Sequence, residues 1–331
     1  MIVSRVRATL VHALYAAIIA GGLQVLIAAV RRFGMDQFIW VSRDFAWMTP
    51  IGYLILFTAA ALPVAALSLA VPSRIGERLP ALVFDTLAAL GVILMFPRLH
   101  SLAALILAVG VGIRGAAAQP RADGHRRRAR QLITATVVVL AGISVVGEVA
   151  HRRSESRALA ALPAAPHGAP NVLLIILDTV RAASMSFMGY ARETTPEMAK
   201  FAAGGVVFDQ AYSTAPWTLP SHAGIFTARF PSSLSTDWRA PLDGRNRTLA
   251  EAMARRGYVT SGFAANHFYT SWESGLTRGF VHYEDYRRTV KQVLLSTSLL
   301  QTNFFWSVAH DHRLGHIAQQ LLHLDLRTQQ M

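Results

Sequence analysis

The first 150 residues contain five apolar runs, Ala8–Val30, Phe45–Val71, Pro80–Phe96, Leu99–Ile113 and Gln131–Ala150, and these limit the possible folds more than any other feature. A helix needs about 20 apolar residues to cross a bilayer, and the runs approach or exceed that length. The whole chain of 331 residues is 53% hydrophobic and 15% charged, whereas roughly a quarter of the residues of a soluble domain carry charge. Five transmembrane helices are therefore expected over residues 1–150. The fourth run is short and is joined to the third by Pro97-Arg98-Leu99-His100, so a re-entrant hairpin from Pro80 to Ile113 is the alternative for that pair.

Arginine placement sets the expected orientation. With the N-terminus inside, the cytoplasmic segments carry Arg5, Arg7, Arg74, Arg78, Arg114, Arg121 and the cluster Arg126, Arg127, Arg128 and Arg130, in line with the positive-inside rule. An odd number of spans then puts everything after Ala150 outside the cytoplasm, at the inner membrane of the cell. The net charge of +13 is largely juxtamembrane arginine, which points to anionic lipid as partner. No basic groove with interleaved aromatics argues for nucleic acid. Within the spans, His12, Gln24 and Asp85 are the polar exceptions. His12 and Asp85 lie near helix ends and are read as reaching toward the interface.

Residues 151–169, basic and then rich in Ala and Pro, read as a semi-rigid linker. From residue 170 the pattern changes. Val172–Leu177 is a short continuous apolar run, the signature of a strand covered on both faces, and it ends on Asp178. Thr195-Pro196-Glu197 opens a helix running to about Gly204. Val206–Tyr212 reads as a second strand, and the stretch from Ala215 leads into a second helix ending near Ala228, with Thr218 at or just before its N-terminus. Further on, a helix over Thr248–Arg256 precedes a strand over Tyr258–Ala265 that ends at Asn266. This alternation predicts an α/β domain over residues 170–331, with only helical pattern after Tyr286.

In an open α/β sheet, ligands bind beyond the carboxyl ends of the parallel strands, so Asp178 is placed to hold a cation. Thr218, at a helix N-terminus, is placed to attack a bound anion. Taken alone, each residue has a plainer reading: Asp178 as a turn or helix cap, Thr218 as an N-cap.

The run LDTVR, then GYARETTPEMAKFAAGGVVFDQAYSTAPWTLPSHAGIFTARFP, then TLAEAMARRGYVTSGFAAN and GLTRGFVHYED resembles the start of the catalytic domain in the sulfatase-like branch of the alkaline phosphatase superfamily. The resemblance covers about Pro170–Tyr286. It implies a multi-span α-helical membrane domain followed by a C-terminally truncated α/β domain of that type, acting on an anionic ester such as one carried on a lipid or a glycan. It also implies one divalent metal ion (manganese, calcium, magnesium or zinc), with Asp178 and Thr218 matching the family's first ligand and its nucleophile.

Sulfatases that carry Cys or Ser at the start of C/S-x-P-x-R oxidise it to formylglycine. Here the five residues are Thr218-Leu219-Pro220-Ser221-His222, and the chain has no cysteine. Threonine carries a methyl on Cβ and cannot become that aldehyde. A threonine nucleophile instead resembles that of lipoteichoic acid synthases and lipid A phosphoethanolamine transferases, which implies phosphoryl or phosphodiester transfer. His222 stands where the pattern has Arg, replacing a permanently charged bidentate clamp with an imidazole. It is a candidate either to touch substrate or to brace the helix.

The family's remaining ligands come from a late Asp-His or Asp-Asn pair, whose nearest counterpart here is His310-Asp311-His312 with His316. The expectation is thus either a hydrolase or transferase, or a catalytically incomplete membrane protein with a binding role or none.

Overall fold

The computed structural model describes residues 2–301, apart from 36, 38, 40, 97, 119–122, 239 and 287. The chain divides into two compact units. One comprises Met1–His151 together with the segment after Tyr286, and the other is Arg152–Tyr286. The helical residues 290–301, expected as the tail of the α/β domain, lie in the first unit.

All five apolar runs are helical: α1 Ile2–Ala29, α2 Phe45–Ala70, α3 Leu79–Ile93, α4 Ser101–Ala117 and α5 Asp123–Ala160. Three stretches are long and apolar enough to cross a membrane, Ile2–Gly34, Phe45–Ala70 and Ile133–Ala160. Of the five expected spans, three are matched by helices of this length, while α3 has 15 residues and α4 has 17. At 1.5 Å per residue these reach about 22 and 26 Å, short of a hydrocarbon core of about 30 Å. The two short helices pack against each other as a hairpin.

The first unit is held by small residues that let backbones approach. Ala13, Ala17 and Ala20 on α1, Ala61 on α2, and Ala104 and Ala108 on α4 are fully buried. Tyr53, Phe57 and Phe84 fill the space between them, with Tyr53 and Phe57 edge to face at 5.6 Å. A Cβ at Gly21 would lie 2.6 Å from Pro50 Cα, so α1 and α2 touch where only glycine fits. The outward faces are apolar, with Leu23, Leu26, Leu62, Ile106, Val138, Val145 and Val146 all exposed, as lipid-facing surfaces are.

His12 and Asp85 do not reach for the interface separately. Nε2 of His12 lies 2.9 Å from Oδ1 of Asp85, joining α1 to α3. Pairing lowers the cost of holding each polar group among apolar helices.

In the second unit the helices fall where the sequence places them: α6 Pro196–Ala202, α7 Thr218–Thr227 and α8 Leu249–Ala254. Thr248 caps α8 with a complete capping box: its hydroxyl accepts from the Glu251 backbone N–H, and the Glu251 carboxylate accepts from the Thr248 N–H. Leu219, Ala223, Leu242 and Leu276 form the small core.

Of the expected α/β sheet, the described residues show one small part. Among the described residues the only ladder is a parallel pair, β1 Ser261–Phe263 with β2 His282–Glu284, in the register Ser261↔His282. Residues 171–177 and 206–208 form no ladder, and Leu173, Ile175, Val206 and Phe208 are 82%, 69%, 80% and 75% exposed. Periodicity reports that a segment suits burial on two faces, but the neighbouring strands must be supplied by other parts of the fold. The described residues supply none for these two.

His282 on β2 lies between two carboxylates, with Nδ1 3.0 Å from Glu155 Oε1 and Nε2 3.1 Å from Glu284 Oε1. The bond to Glu155, then that to Glu284, holds its pKa above the usual histidine value. Its folded-state pKa is thus higher than its unfolded one of about 6.5. The stabilisation is full below that unfolded value and is lost as pH rises through the folded pKa. The side chain is 39% exposed, so the effect is modest. The second unit should melt at a lower temperature at pH 8 than at pH 6, and His282→Asn should flatten that slope in thermal scans.

Candidate active site

The site forms where three local features of the second unit meet. The extended run ends at Asp178, and the chain then turns sharply. Thr179 has φ 62°, a left-handed conformation that costs a β-branched residue on the order of 1–2 kcal/mol. That turn breaks the extended path immediately after Asp178.

Thr218 is the first residue of α7 and follows Trp217, whose extended backbone (φ −119°, ψ 142°) occupies the cap position without a side-chain cap bond. The plain N-cap role is therefore not what the Thr218 hydroxyl performs. It donates to the Asp178 carboxylate, 3.3 Å from each oxygen. The helix N-terminus adds a positive field at the same spot.

Asn266, just beyond β1, supplies the third group. Its Nδ2 donates to Asp178 Oδ2 at 2.7 Å, orienting the carboxylate toward Thr218. Sequence reasoning did not select it, although the same signal was available: a polar residue directly after a predicted strand.

His222 sits one turn along α7, and its Nδ1 bonds the Thr218 carbonyl at 2.8 Å. The bond runs to the backbone of Thr218, so in this structure the ring braces the first turn. His222 also packs edge-on against Phe226, at 6.4 Å between ring centroids. Gly224 fits α7 closely against the chain that follows it, since a Cβ there would lie 3.1 Å from the Arg229 carbonyl.

Whether these residues suit a divalent cation can be tested on their donor chemistry. The Asp178 and Thr218 oxygens, 3.3 Å apart, can share one ion, since metal–oxygen bonds are about 2.0–2.6 Å. An all-oxygen set favours a hard cation such as magnesium, calcium or manganese. Among the described residues no cluster of three or more His, Cys, Asp or Glu side chains could hold a metal. The donor set thus fits an ion at two positions. His310, Asp311, His312 and His316 lie outside the described residues.

Comparison with known proteins gives the site a family. Residues 170–321 match the sulfatase family model. Over 98 residues the chain is 36% identical to arylsulfatase A of Bos taurus, a match covering 28% of this chain and 19% of that protein. Human arylsulfatase A is 34% identical over the same length and the same shares. An N-acetylgalactosamine-6-O-sulfatase of Bacteroides thetaiotaomicron is 29% identical over 97 residues, with 28% of this chain and 19% of that protein covered. The chain thus spans about a fifth of the length of these relatives. No solved structure matches it. Residues 170–321 are thus a match to the sulfatase family, and this supports placing that stretch in the sulfatase-like branch of the alkaline phosphatase superfamily.

Proposed function

We propose that the protein is a membrane-anchored, sulfatase-like hydrolase or transferase that cleaves phosphate or sulfate esters outside the cytoplasm, with Thr218 as nucleophile. The observation that carries this reading is the Thr218 hydroxyl at the start of α7, hydrogen-bonded to Asp178. A hydroxyl used only for capping would bond the helix's own backbone, whereas this one is held by a carboxylate at a position that attracts anions.

Asp178 and Thr218 would hold a divalent cation, whose chemistry is to make the hydroxyl more acidic and to neutralise charge on the transferred group. The rest is done by side chains. Asn266 fixes the Asp178 carboxylate, Asp178 orients the Thr218 O–H, and His222 keeps the first turn of α7 in place. Attack by Thr218 Oγ forms one bond to phosphorus or sulfur and breaks the bond to the ester oxygen, which leaves with a proton. Water or a second alcohol then takes the group from threonine, giving hydrolysis or transfer. Threonine at this position, with no cysteine in the chain, favours a direct alkoxide route and phosphodiester substrates over formylglycine chemistry.

The topology of the proposal does not depend on counting three spans or five. If the α3–α4 hairpin enters and leaves on one side, three spans remain. With either odd number, residues 152–286 would lie opposite the N-terminus, and the arginine distribution supports a cytoplasmic N-terminus.

The test is turnover of bis(4-nitrophenyl) phosphate and 4-nitrophenyl sulfate by the detergent-purified protein with added magnesium, calcium, manganese or zinc, together with intact-mass analysis of quenched samples. Metal-dependent turnover is expected, with a 4-nitrophenylphosphoryl adduct from the phosphodiester or a sulfo adduct from the sulfate ester mapped to Thr218. Neither turnover nor adduct with any metal would leave a binding role, a reading favoured by the short ligand set among the described residues.

A further inference from the structure

The segment that follows the second unit returns to the first and enters it. Helix α9, Val290–Leu295, gives way to α10, Ser298–Gln301, and the break between them is clamped by side chains of the bundle. Gln24 uses both ends of its amide, with Nε2 donating to the Ser296 carbonyl at 3.0 Å and Oε1 accepting from the Ser298 N–H at 3.1 Å. Thr49 adds a second donor to the Ser296 carbonyl at 3.3 Å. Tyr53 pairs with the Ser298 hydroxyl at 2.9 Å, and that hydroxyl also bonds the Gly91 carbonyl.

Thr297 and Ser298 are 0% and 4% exposed, and Leu299 belongs to the apolar core of the bundle. Gly52 is glycine where the segment lies, because a Cβ there would be 2.5 Å from the Val293 carbonyl and 2.7 Å from Thr297 Cγ2.

The receiving residues share one end of the bundle. Gln24 lies near the end of α1, Thr49 and Tyr53 near the start of α2, and Gly91 near the end of α3. Gln24 is two turns, or about 10 Å, inward of Arg31 and Arg32 on the same helical run. Non-helical backbone at that depth is tolerated in a membrane protein only when protein groups satisfy it, and here the bundle supplies those groups. At the rim, Arg288 bridges Asp44 and Glu148, each at 2.7 Å.

We propose that residues 288–299 are a membrane anchor, seated in a polar socket made by Gln24, Thr49, Tyr53 and Gly91 and capped by the Arg288 bridge. The second unit is then tied to the membrane at both ends, through α5 before it and through this anchor after it. The inference rests on the membrane reading of the first unit and not on the catalytic reading of Thr218. Its readouts therefore involve no turnover.

The absence of cysteine gives a clean background for the first test. A Thr297→Cys variant in intact membranes should react with a membrane-impermeant maleimide at least ~10-fold more slowly than a Val290→Cys variant at a 68% exposed position, since modification would require local opening. Equal rates would overturn the proposal. In the second test, a specific protease site is inserted between Leu162 and Gly168 and cut. The C-terminal fragment should stay with the membranes through an alkaline carbonate wash, and Gly52→Leu, which fills the groove, should release it. Release from the parent protein, or retention in both, would show that the attachment is not this socket. The labelling test stands if Gly52→Leu does not fold.

Discussion

Thr218→Ala should lower turnover by at least about 10³-fold, with no change in the melting temperature of the second unit beyond a degree or two. The size follows from the role. Removing a nucleophile abolishes the covalent route and leaves only binding and field effects, which in comparable systems leave small residual rates. The fold should survive because, among the described residues, the Thr218 hydroxyl bonds the Asp178 carboxylate and not the helix backbone. Asp178 keeps its bond from Asn266 in the variant.

Thr218→Ser is the informative companion. It restores the hydroxyl but not the methyl that limits χ1, so it should keep turnover within about tenfold of the parent, a difference of about 1.4 kcal/mol in barrier. If alanine is as active as threonine, Thr218 is not the nucleophile. If serine is as poor as alanine, the hydroxyl is not what matters. A structural role alone would move the melting temperature first and the adduct not at all.

Asp178 and Thr218 were legible in the sequence because each sits at a punctuation point, one after an apolar run and the other before a helix. Family motifs in the right order turned two weak signals into one strong one. Asn266, though it too follows a predicted strand, carries no chemical signal of its own, because its part here is to steer a carboxylate 88 residues away. His12 and Asp85 were each noticed singly, but their pairing spans 73 residues and depends on how α1 packs on α3. The apolar runs at 172–177 and 206–212 report a preference for two-sided burial, which the described residues do not satisfy. The apolar run at Pro80–Phe96 outlasts α3 by three residues, because hydropathy reports apolar character and not where the helical hydrogen bonding stops at Ile93. The docking of residues 290–299 left only a faint trace, a helical pattern unusually rich in Ser and Thr. Such residues read as solvent-facing until the bundle's own polar groups are seen to meet them.

Gly279→Ala should be the most destructive single-methyl change in the second unit, lowering its melting temperature by about 10 °C. Gly279 has φ +88°, so any L-residue there is strained by about 1–2 kcal/mol. A Cβ would also lie against the Glu251 backbone nitrogen and 2.6 Å from both Glu251 Cα and Cγ. These are the atoms of the capping box that starts α8, and the loss of a cap costs about 0.5–2 kcal/mol. The same turn is held by the Thr248 hydroxyl donating to the Arg278 carbonyl at 2.7 Å and by the Thr260 hydroxyl donating to the Gly279 carbonyl at 2.6 Å. Moving the turn to relieve the clash would therefore pull on both the helix cap and the strand that leads to Asn266. A total near 3 kcal/mol in a unit of this size corresponds to roughly the stated shift. Gly142→Ala is the control: it is an exposed helical position where a Cβ meets nothing within 4 Å, and alanine there should be neutral or gain about 0.5–1 kcal/mol. The comparison is made by thermal scans and limited proteolysis of the full chain in detergent. If Gly279→Ala melts with the parent, the contact between the 275–281 turn and the start of α8 is not what holds the second unit together.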